Sequence, residues 1–336
     1  LANQSVNSAL EYMGYDVKFV TGDKDHDMDQ GGAILPDALR WLWRDYPKPI
    51  TKPTPNHGGD PRTTILDPGH EWELVVPGGS QLTHALTVSA QGDVYYSSGG
   101  QNSLGVVGDR HIPFHPEGAA SGLAFGADGH AYACEDAAKR IVAYPPVKGP
   151  RLIAKGVSCE GLVVTQGGGV YFTDPAGHRV WYINGKGARH IVYDGLALPT
   201  GTALSPDQSL LFVSDPTSRW VWSFQIKADG SLTNAEPFYR LETLDESSAT
   251  GATGMTVDTL GHLYVATRLG IQICDQPGRV LAILNPPTSD ALAGITFGGS
   301  DFQDLYVVAG DKIFKRHLLR KGVLPGVPEK PPVPHF

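Results

Sequence analysis

Six short segments recur along most of the chain, and this repeat constrains the fold more than any other feature. The segments can be aligned without gaps: HALTV from His84, SGLAF from Ser121, EGLVV from Glu160, TGTAL from Thr200, TGMTV from Thr253 and AGITF from Ala293. Successive opening residues are 37, 39, 40, 53 and 40 positions apart. A period of about 40 residues with strand pairs in each repeat is typical of propeller blades.

Each repeat continues with the signals of a hairpin. In the first five copies a turn residue follows eight positions after the opening residue, at Gly92, Gly129, Gly168, Gln208 and Gly261. Apolar runs such as GVYFTD and HLYVAT then predict second strands, and runs such as KRIVAYP and DKIFKRH predict third strands. The sequence therefore predicts a six-bladed β-propeller over residues 71–325. We expect WELVV, at residues 72–76, to close the ring as an outer strand of the last blade.

Three further parts flank the repeats. Residues 1–45 predict a short αβ segment, with a strand over residues 15–20 and a helix over residues 32–45. Residues 46–70 hold six prolines and predict a Pro-rich linker, and residues 326–336 form a Pro-rich tail. The predicted fold class is all-β, a six-bladed propeller preceded by a short αβ segment.

The charge and the apolar runs of the chain argue against two classes of partner. The net charge of −8 argues against nucleic acid and against an anionic membrane surface as the main partner. No apolar run approaches the ~18 residues of a membrane span. We therefore expect a soluble protein that has neither nucleic acid nor a membrane as its partner. The chain begins at Leu1 rather than Met, which is typical of a processed protein or of a piece of a longer one, so the compartment is not predicted.

The cysteines predict no disulfide framework. Cys134, Cys159 and Cys274 lie far apart in the sequence and include no CxxC pair. Their number is odd, so we expect buried, reduced thiols.

The propeller geometry predicts where chemistry would lie. Equivalent positions of successive blades form a ring about the axis, so the six opening residues should point into one end of the central channel. Glu135, Asp174 and Asp215 end second strands and should lie near the same end, farther from the axis. Asp174 and Asp215 each precede a proline and are interpreted as turn-capping residues.

The repeats resemble the gluconolactonase/regucalcin-like family of six-bladed propellers, also described as SMP-30/gluconolactonase/LRE-like. The resemblance covers about residues 72–325 and rests on four motifs: TGTALSPDQSLLFVSD, TGMTVDTLGHLYVAT followed by GIQICD, GLVVTQGGGVYFTDP and ITFGGSDFQDLYVVAGDKIFKR. It implies a hydrolase of sugar lactones with one divalent metal of the Ca or Zn type at the channel mouth. Such a metal needs oxygen-rich ligands from several blades and open positions for substrate and water.

The ligand positions that the resemblance implies are largely rewritten. The family pattern calls for Glu, Asn, Asn and Asp in the first, third, fourth and fifth blades. This chain has His84, Glu160, Thr200 and Thr253 there. Thr253 takes the place of the Asp credited as general base, and threonine cannot accept a proton near neutral pH. Ser158 takes the place of a substrate-binding Arg found in some members.

An imidazole and a carboxylate remain in this ring. His84 and Glu160 could hold one divalent metal, act as an acid–base pair, or bond to one another and plug the channel. We assign both as candidate catalytic residues and candidate metal ligands. The candidate substrate-binding residues are Ser121, Thr200, Thr253 and Glu135.

Three functions stay open at this point. The first is a hydrolase of sugar lactones or related esters, with an altered site at the channel mouth. The second is a non-catalytic propeller that binds carbohydrate or acts as a scaffold. The third is metal-free acid–base chemistry on a sugar, such as that of a lyase or an epimerase.

The start of the chain carries a second resemblance. YDVKFVTGDKDHDMDQGGAILPDALRWLWRDYPKP is similar to the last strand, catalytic-histidine loop and last helix of an α/β-hydrolase of the esterase D or enterochelin-esterase type. His26 falls at the catalytic histidine, but the chain contains no GxSxG nucleophile motif. The resemblance thus implies a vestigial histidine, with an upstream esterase domain or a homodimer as partner.

Overall fold

The computed structural model describes residues 6–7, 10–11, 14–22, 28–49, 64–79, 82–98, 103–108, 119–146, 149–244 and 247–332. The chain divides into two compact units, Leu1–Pro61 and Arg62–Phe336. Among the described residues, no helix is both long and apolar enough to cross a bilayer.

The first unit contains helix α1 (Met28–Leu42). The helix carries Asp29 in its first turn and Arg40 in its last, as its dipole favours. The predicted strand over residues 15–20 is wrong, because these residues form no strand. A strand needs a neighbour for its backbone hydrogen bonds, and none of the described residues pairs with this segment.

The second unit is built from antiparallel strands. In chain order they are β1 (Glu73–Val76), β2 (Leu82–Val88), β3 (Val94–Ser98), β4 (Ser103–Val106), β5 (Gly122–Phe125), β6 (Ala131–Glu135), β7 (Arg140–Tyr144), β8 (Arg151–Lys155), β9 (Leu162–Val164), β10 (Val170–Asp174), β11 (Arg179–Ile183), β12 (Arg189–Tyr193), β13 (Thr202–Leu204), β14 (Leu210–Ser214), β15 (Trp220–Ile226), β16 (Leu232–Arg240), β17 (Met255–Val257), β18 (Leu263–Thr267), β19 (Gly270–Cys274), β20 (Val280–Leu284), β21 (Leu292–Gly298), β22 (Asp304–Ala309) and β23 (Lys312–His317).

These strands form six sheets, so the prediction of a six-bladed β-propeller is confirmed. Blades 2 to 5 are the four-stranded sheets β5–β8, β9–β12, β13–β16 and β17–β20, and blade 1 comprises β2, β3 and β4 among the described residues. The innermost strands β2, β5, β9, β13, β17 and β21 contact one another in sequence, and β21 contacts β2. This ring of contacts encloses the central channel.

Blade 6 closes the ring with strands from both ends of the propeller. Its order is β1-β23-β22-β21, and β1 pairs antiparallel with β23 through Glu73 opposite Lys315 and Leu74 opposite Phe314. The expectation that residues 72–76 supply the outer strand of the last blade is therefore confirmed. Closure leaves no blade at an open end, so every blade has a neighbour on both of its faces.

Apolar side chains between neighbouring blades form the core. One cluster joins blades 2 and 3 through Tyr132, Ile141 and Phe172, which are almost fully buried. Burying one large apolar side chain contributes roughly 1.5–3 kcal/mol. The alternation of each strand sends such residues to both of its faces, so every blade packs against two neighbours.

The cysteine prediction is wrong for two of the three residues. Cys134 on β6 and Cys159, just before β9, are joined in a disulfide with their Cα atoms 5.5 Å apart, a distance that suits a bridge. They are 25 residues apart in sequence but meet across the interface of blades 2 and 3. Cys274 is free and buried, as expected.

After β23 the chain crosses one end of the channel. The Gly322 amide donates to the Phe302 carbonyl at 2.8 Å, and the Glu329 amide donates to the Pro206 carbonyl at 2.6 Å. Pro206 lies in the turn between the first two strands of blade 4, so this segment covers the end of the channel opposite the opening residues.

Candidate functional site

A cavity of about 260 Å³ occupies the propeller axis. All six innermost strands line it, and the segment Val323–Gly326 lies against one end. At the other end lie the opening residues of five blades: Ser121, Glu160, Thr200, Thr253 and Ala293. The structure therefore brings together four of the predicted site residues.

A β-bulge directs the opening residues in blades 3, 4 and 5. In blade 3, the Glu160 amide donates to the Thr173 carbonyl at 3.0 Å, and the Thr173 amide donates to the Gly161 carbonyl at 2.9 Å. Two residues of the inner strand thus oppose one residue of the second strand. Thr200 and Thr253 have the same relationship with Ser214 and Ala266. Such a bulge redirects a side chain, here toward the channel mouth.

The glycine after each opening residue makes room for the next blade. A Cβ atom added to Gly122, Gly161, Gly201 or Gly254 would overlap the carbonyl oxygen of the next opening residue, namely Glu160, Thr200, Thr253 and Ala293. The small residue of the repeat is therefore required by the close approach of neighbouring inner strands.

The hydroxyl groups of the ring are engaged between blades. Ser121 Oγ donates to the Cys159 carbonyl at 2.7 Å, Thr200 Oγ1 to the Ala252 carbonyl at 3.3 Å, and Thr253 Oγ1 to the Ala293 carbonyl at 3.2 Å. Each bond reaches the next blade. These hydroxyls hold the ring together, which limits what they can offer a ligand.

Second strands add a further set of links at one equivalent position. Thr173 Oγ1 donates to the Thr200 carbonyl at 2.6 Å, and Ser214 Oγ donates to the Thr253 carbonyl at 3.0 Å. Cys134 occupies this position in blade 2 and makes its link covalently, through the disulfide to Cys159. We call these side chains the inter-blade staples.

Glu160 is the one charged residue among the described residues that line the cavity. It is partly buried, and the residue before it is held from two sides. Besides the disulfide, the Cys159 amide donates to Asp136 Oδ1 at 3.1 Å. Burial raises the pKa of Asp136, but hydrogen bonds from Ser158, Lys139 and the Cys159 amide outweigh it, so the pKa lies below the ordinary value.

The three acidic residues that end second strands lie away from the cavity lining. Glu135, predicted to bind substrate, is fully buried and bonds to Arg140 Nε at 2.6 Å and to the Tyr144 hydroxyl. Its carboxylate therefore binds side chains inside blade 2 and does not face the cavity. Asp174 accepts from the Gly177 amide at 2.8 Å and Asp215 from the Thr217 amide at 3.0 Å, as turn-capping residues do. Asp215 Oδ2 also accepts from the Ala197 and Leu198 amides at 3.1 Å.

The side chains of the two predicted histidines lie outside the described part of the structure. The backbone of His84 lies on β2, the innermost strand of blade 1, but its side chain lies outside the described part of the structure. His26 lies wholly outside the described residues. Their predicted roles stay predictions.

The donor set of the described ring does not fit a divalent cation. Ca²⁺ prefers six to eight oxygen ligands, including carboxylates, whereas the ring supplies one carboxylate and three hydroxyls already bonded to carbonyls. Among the described residues, no group of three or more His, Cys, Asp and Glu side chains could hold a metal ion.

The sequence of the repeat region is similar to known proteins. Residues 163–311 match the family model described as SMP-30/Gluconolactonase/LRE-like region. The propeller is gluconolactonase-like. The chain is 26% identical over 225 residues to the gluconolactonase of Zymomonas mobilis subsp. mobilis, covering 59% of this chain and 63% of that protein. It is 27% identical over 139 residues to the pentonolactonase XacC of Haloferax volcanii, covering 40% of this chain and 46% of that protein.

A solved structure agrees with the fold. A gluconolactonase from Xanthomonas campestris has a TM-score of 0.66 and 20% identity, and the likeness covers 78% of this chain and 93% of that one. The chain spans less than two thirds of the length of the curated relatives named above.

Sequence reasoning missed the inter-blade links that position Glu160. A signal for them exists, because Ser97, Cys134, Thr173 and Ser214 occupy equivalent places in the second strands. Small hydrogen-bonding or sulfur-containing side chains at one repeat position could have indicated a shared structural role.

Proposed function

We propose that the gluconolactonase-like propeller hydrolyses sugar lactones or related esters at its channel mouth, with Glu160 as the base. The observation that carries this proposal is the placement of one carboxylate, Glu160, at the mouth of a cavity whose other described lining residues are uncharged. The similarity to proteins named gluconolactonase and pentonolactonase supports a lactone as the substrate class.

Glu160 would activate water. Its carboxylate takes a proton as the water oxygen attacks the lactone carbonyl carbon, and the ring C–O ester bond breaks in the next step. The proton is then delivered to the leaving alkoxide, which yields a hydroxy acid. A general base contributes roughly 10²–10⁴-fold to such a step.

His84 is the proposed second participant. Its backbone lies on the innermost strand of blade 1, at the position equivalent to that of Glu160 in blade 3. An imidazole at this end of the channel would suit proton transfer to the leaving oxygen.

The electrostatics favour a neutral substrate and an anionic product. The chain has a net charge of −8, and Glu160 brings a negative charge to the cavity. A neutral lactone enters without repulsion, whereas the carboxylate product is repelled by Glu160. Product release is thereby assisted.

A second candidate is a non-catalytic, carbohydrate-binding propeller. The engagement of the Ser121, Thr200 and Thr253 hydroxyls in bonds between blades favours it, because these groups then serve the framework. It predicts sugar binding without turnover.

The release of protons during lactone hydrolysis distinguishes the lactonase from the carbohydrate-binding propeller. The purified chain is mixed with glucono-1,5-lactone at constant pH, and base consumption is compared with spontaneous hydrolysis and with the Glu160→Gln variant. Lactonase function predicts release well above the spontaneous rate, and its loss in the variant. Equal rates of base consumption for the wild type, the variant and the spontaneous reaction, together with binding of the sugar, would support the carbohydrate-binding candidate.

A further inference from the structure

Below the ring of opening residues, the channel has two chemically different sides. Blades 4, 5, 6 and 1, which are consecutive around the axis, contribute four threonines to the cavity lining: Thr202, Thr256, Thr296 and Thr87. We call these four residues the hydroxyl side. Blades 2 and 3 contribute only Gly, Leu, Ala, Phe and Val there, in residues 122–125 and 161–164. We call these two segments the aliphatic side.

Several hydroxyls of this side have no protein partner. Within the part of the chain that the structure describes, Thr87, Thr202 and Thr256 make no side-chain hydrogen bond. Thr87 is only 7% exposed and Thr202 only 9% exposed. A buried hydroxyl without a partner costs roughly 1–3 kcal/mol. Thr202 Oγ1 is closed off from the cavity, whereas the Thr87 and Thr256 hydroxyls are available to whatever fills it, unlike the ring hydroxyls above them.

The channel is of limited length. The inner strands run about four residues from the opening position to the far end, or about 13 Å at the usual rise. There the segment Val323–Gly326 lies against the cavity. The space suits a few carbon atoms with their substituents.

We propose that this lower channel is a subsite for the uncharged, hydroxylated side arm of the ligand whose reacting carbonyl lies at Glu160. The inference rests on the proposed function for the position of the carbonyl. Hydroxyl groups along one edge of a polyol would bond to Thr87 and Thr256, while its C–H groups pack against the aliphatic side.

The same walls exclude charged arms. Below Glu160 the described lining has no charged side chain. A phosphate or a carboxylate placed there would lose its hydration without gaining a counter-charge. Phosphorylated sugars and sugar acids should therefore be rejected.

Direct binding to the full chain tests the subsite without any need for turnover. The probe is 1,5-anhydro-D-glucitol, a ring polyol with no ester bond, and the comparison compound is tetrahydropyran-2-methanol, which lacks the ring hydroxyls. Titration calorimetry compares wild type with Thr256→Val and Thr87→Val. Thr233→Val, on the outer strand β16, is the matched control outside the cavity.

The expected result is selective loss of polyol affinity. Each cavity variant should weaken binding of the polyol by about 3–10-fold, the worth of one hydrogen bond, and leave binding of the comparison compound unchanged. Thr256→Ser, which keeps the hydroxyl, should retain wild-type affinity, and the 6-phosphate of the probe should bind more weakly than the probe itself.

Three results would overturn the subsite. They are undetectable binding of the polyol to wild type at tens of millimolar, unchanged affinity in both cavity variants, and tighter binding of the phosphorylated probe. If the polyol binds in the predicted, threonine-dependent manner but no lactone is hydrolysed, the proposed catalytic function fails and the subsite stands.

Discussion

The disulfide between Cys134 and Cys159 ties blade 2 to the residue directly before Glu160. Cys134 stands at the position that Thr173 and Ser214 occupy in the next two blades, where hydroxyl groups bond to the following opening segment. The covalent inter-blade staple is thus found beside the one carboxylate of the described cavity lining.

The first prediction is the thiol count. Alkylation of the denatured chain without reductant should modify one cysteine, Cys274, and after reduction it should modify three. In the folded protein Cys274 should react very slowly, because burial raises the pKa of its thiol to about 12. Mass spectrometry reads the number of adducts. Three adducts without reductant would show that Cys134 and Cys159 are not bonded.

The second prediction concerns the covalent inter-blade staple. Replacing Cys134 and Cys159 together by Ala should lower the free energy of unfolding by about 3 kcal/mol, the usual effect of closing a loop of this length. It should also lower kcat more than it raises KM, because the backbone before Glu160 loses one support. Urea unfolding and lactone kinetics measure the two effects. Unchanged stability would contradict the structural role of the bridge.

The third prediction concerns the glycine of the repeat. Gly201→Ala should destabilise the propeller by more than 2 kcal/mol, because the added Cβ would overlap the Thr253 carbonyl of the next blade. Gly167→Ala is the control, since a Cβ there meets no atom within 4 Å. Thermal unfolding of the two variants should differ clearly, and equal melting temperatures would contradict the close approach of the inner strands.

Much of the fold could be predicted from the sequence because the repeat is regular. The opening segments fixed the blade number, and the β1 strand could be placed because blade 6 would otherwise lack an outer strand. The Cys134–Cys159 bridge could not be predicted, since it depends on two blades meeting in space. The partners of Glu135 were missed for a related reason, because a strand-end carboxylate can face Arg140 as readily as the channel.

The fourth prediction concerns the contribution of Asp136 to stability as a function of pH. Its pKa in the folded chain lies below the ordinary 3.8, so its contribution to stability is present above that pH and is lost as the pH falls through the folded pKa. Asp136→Asn should therefore be less stable than wild type near pH 6, and the difference should shrink below about pH 4. Melting temperatures measured from pH 3 to pH 6 test this. A difference that stays constant over the range would contradict the assigned hydrogen bonds.

The proposed role of Glu160 as the base of a lactonase at the channel mouth can be tested by the kinetics of Glu160→Gln. The substitution keeps the shape of the side chain and removes its basicity. Glu236→Gln, an exposed carboxylate on the outer strand β16, serves as the control. Glu160→Gln should lower kcat for glucono-1,5-lactone by roughly 10²–10⁴-fold with little change in KM, while the control keeps full activity. Wild-type kcat in the folded Glu160→Gln variant would contradict it.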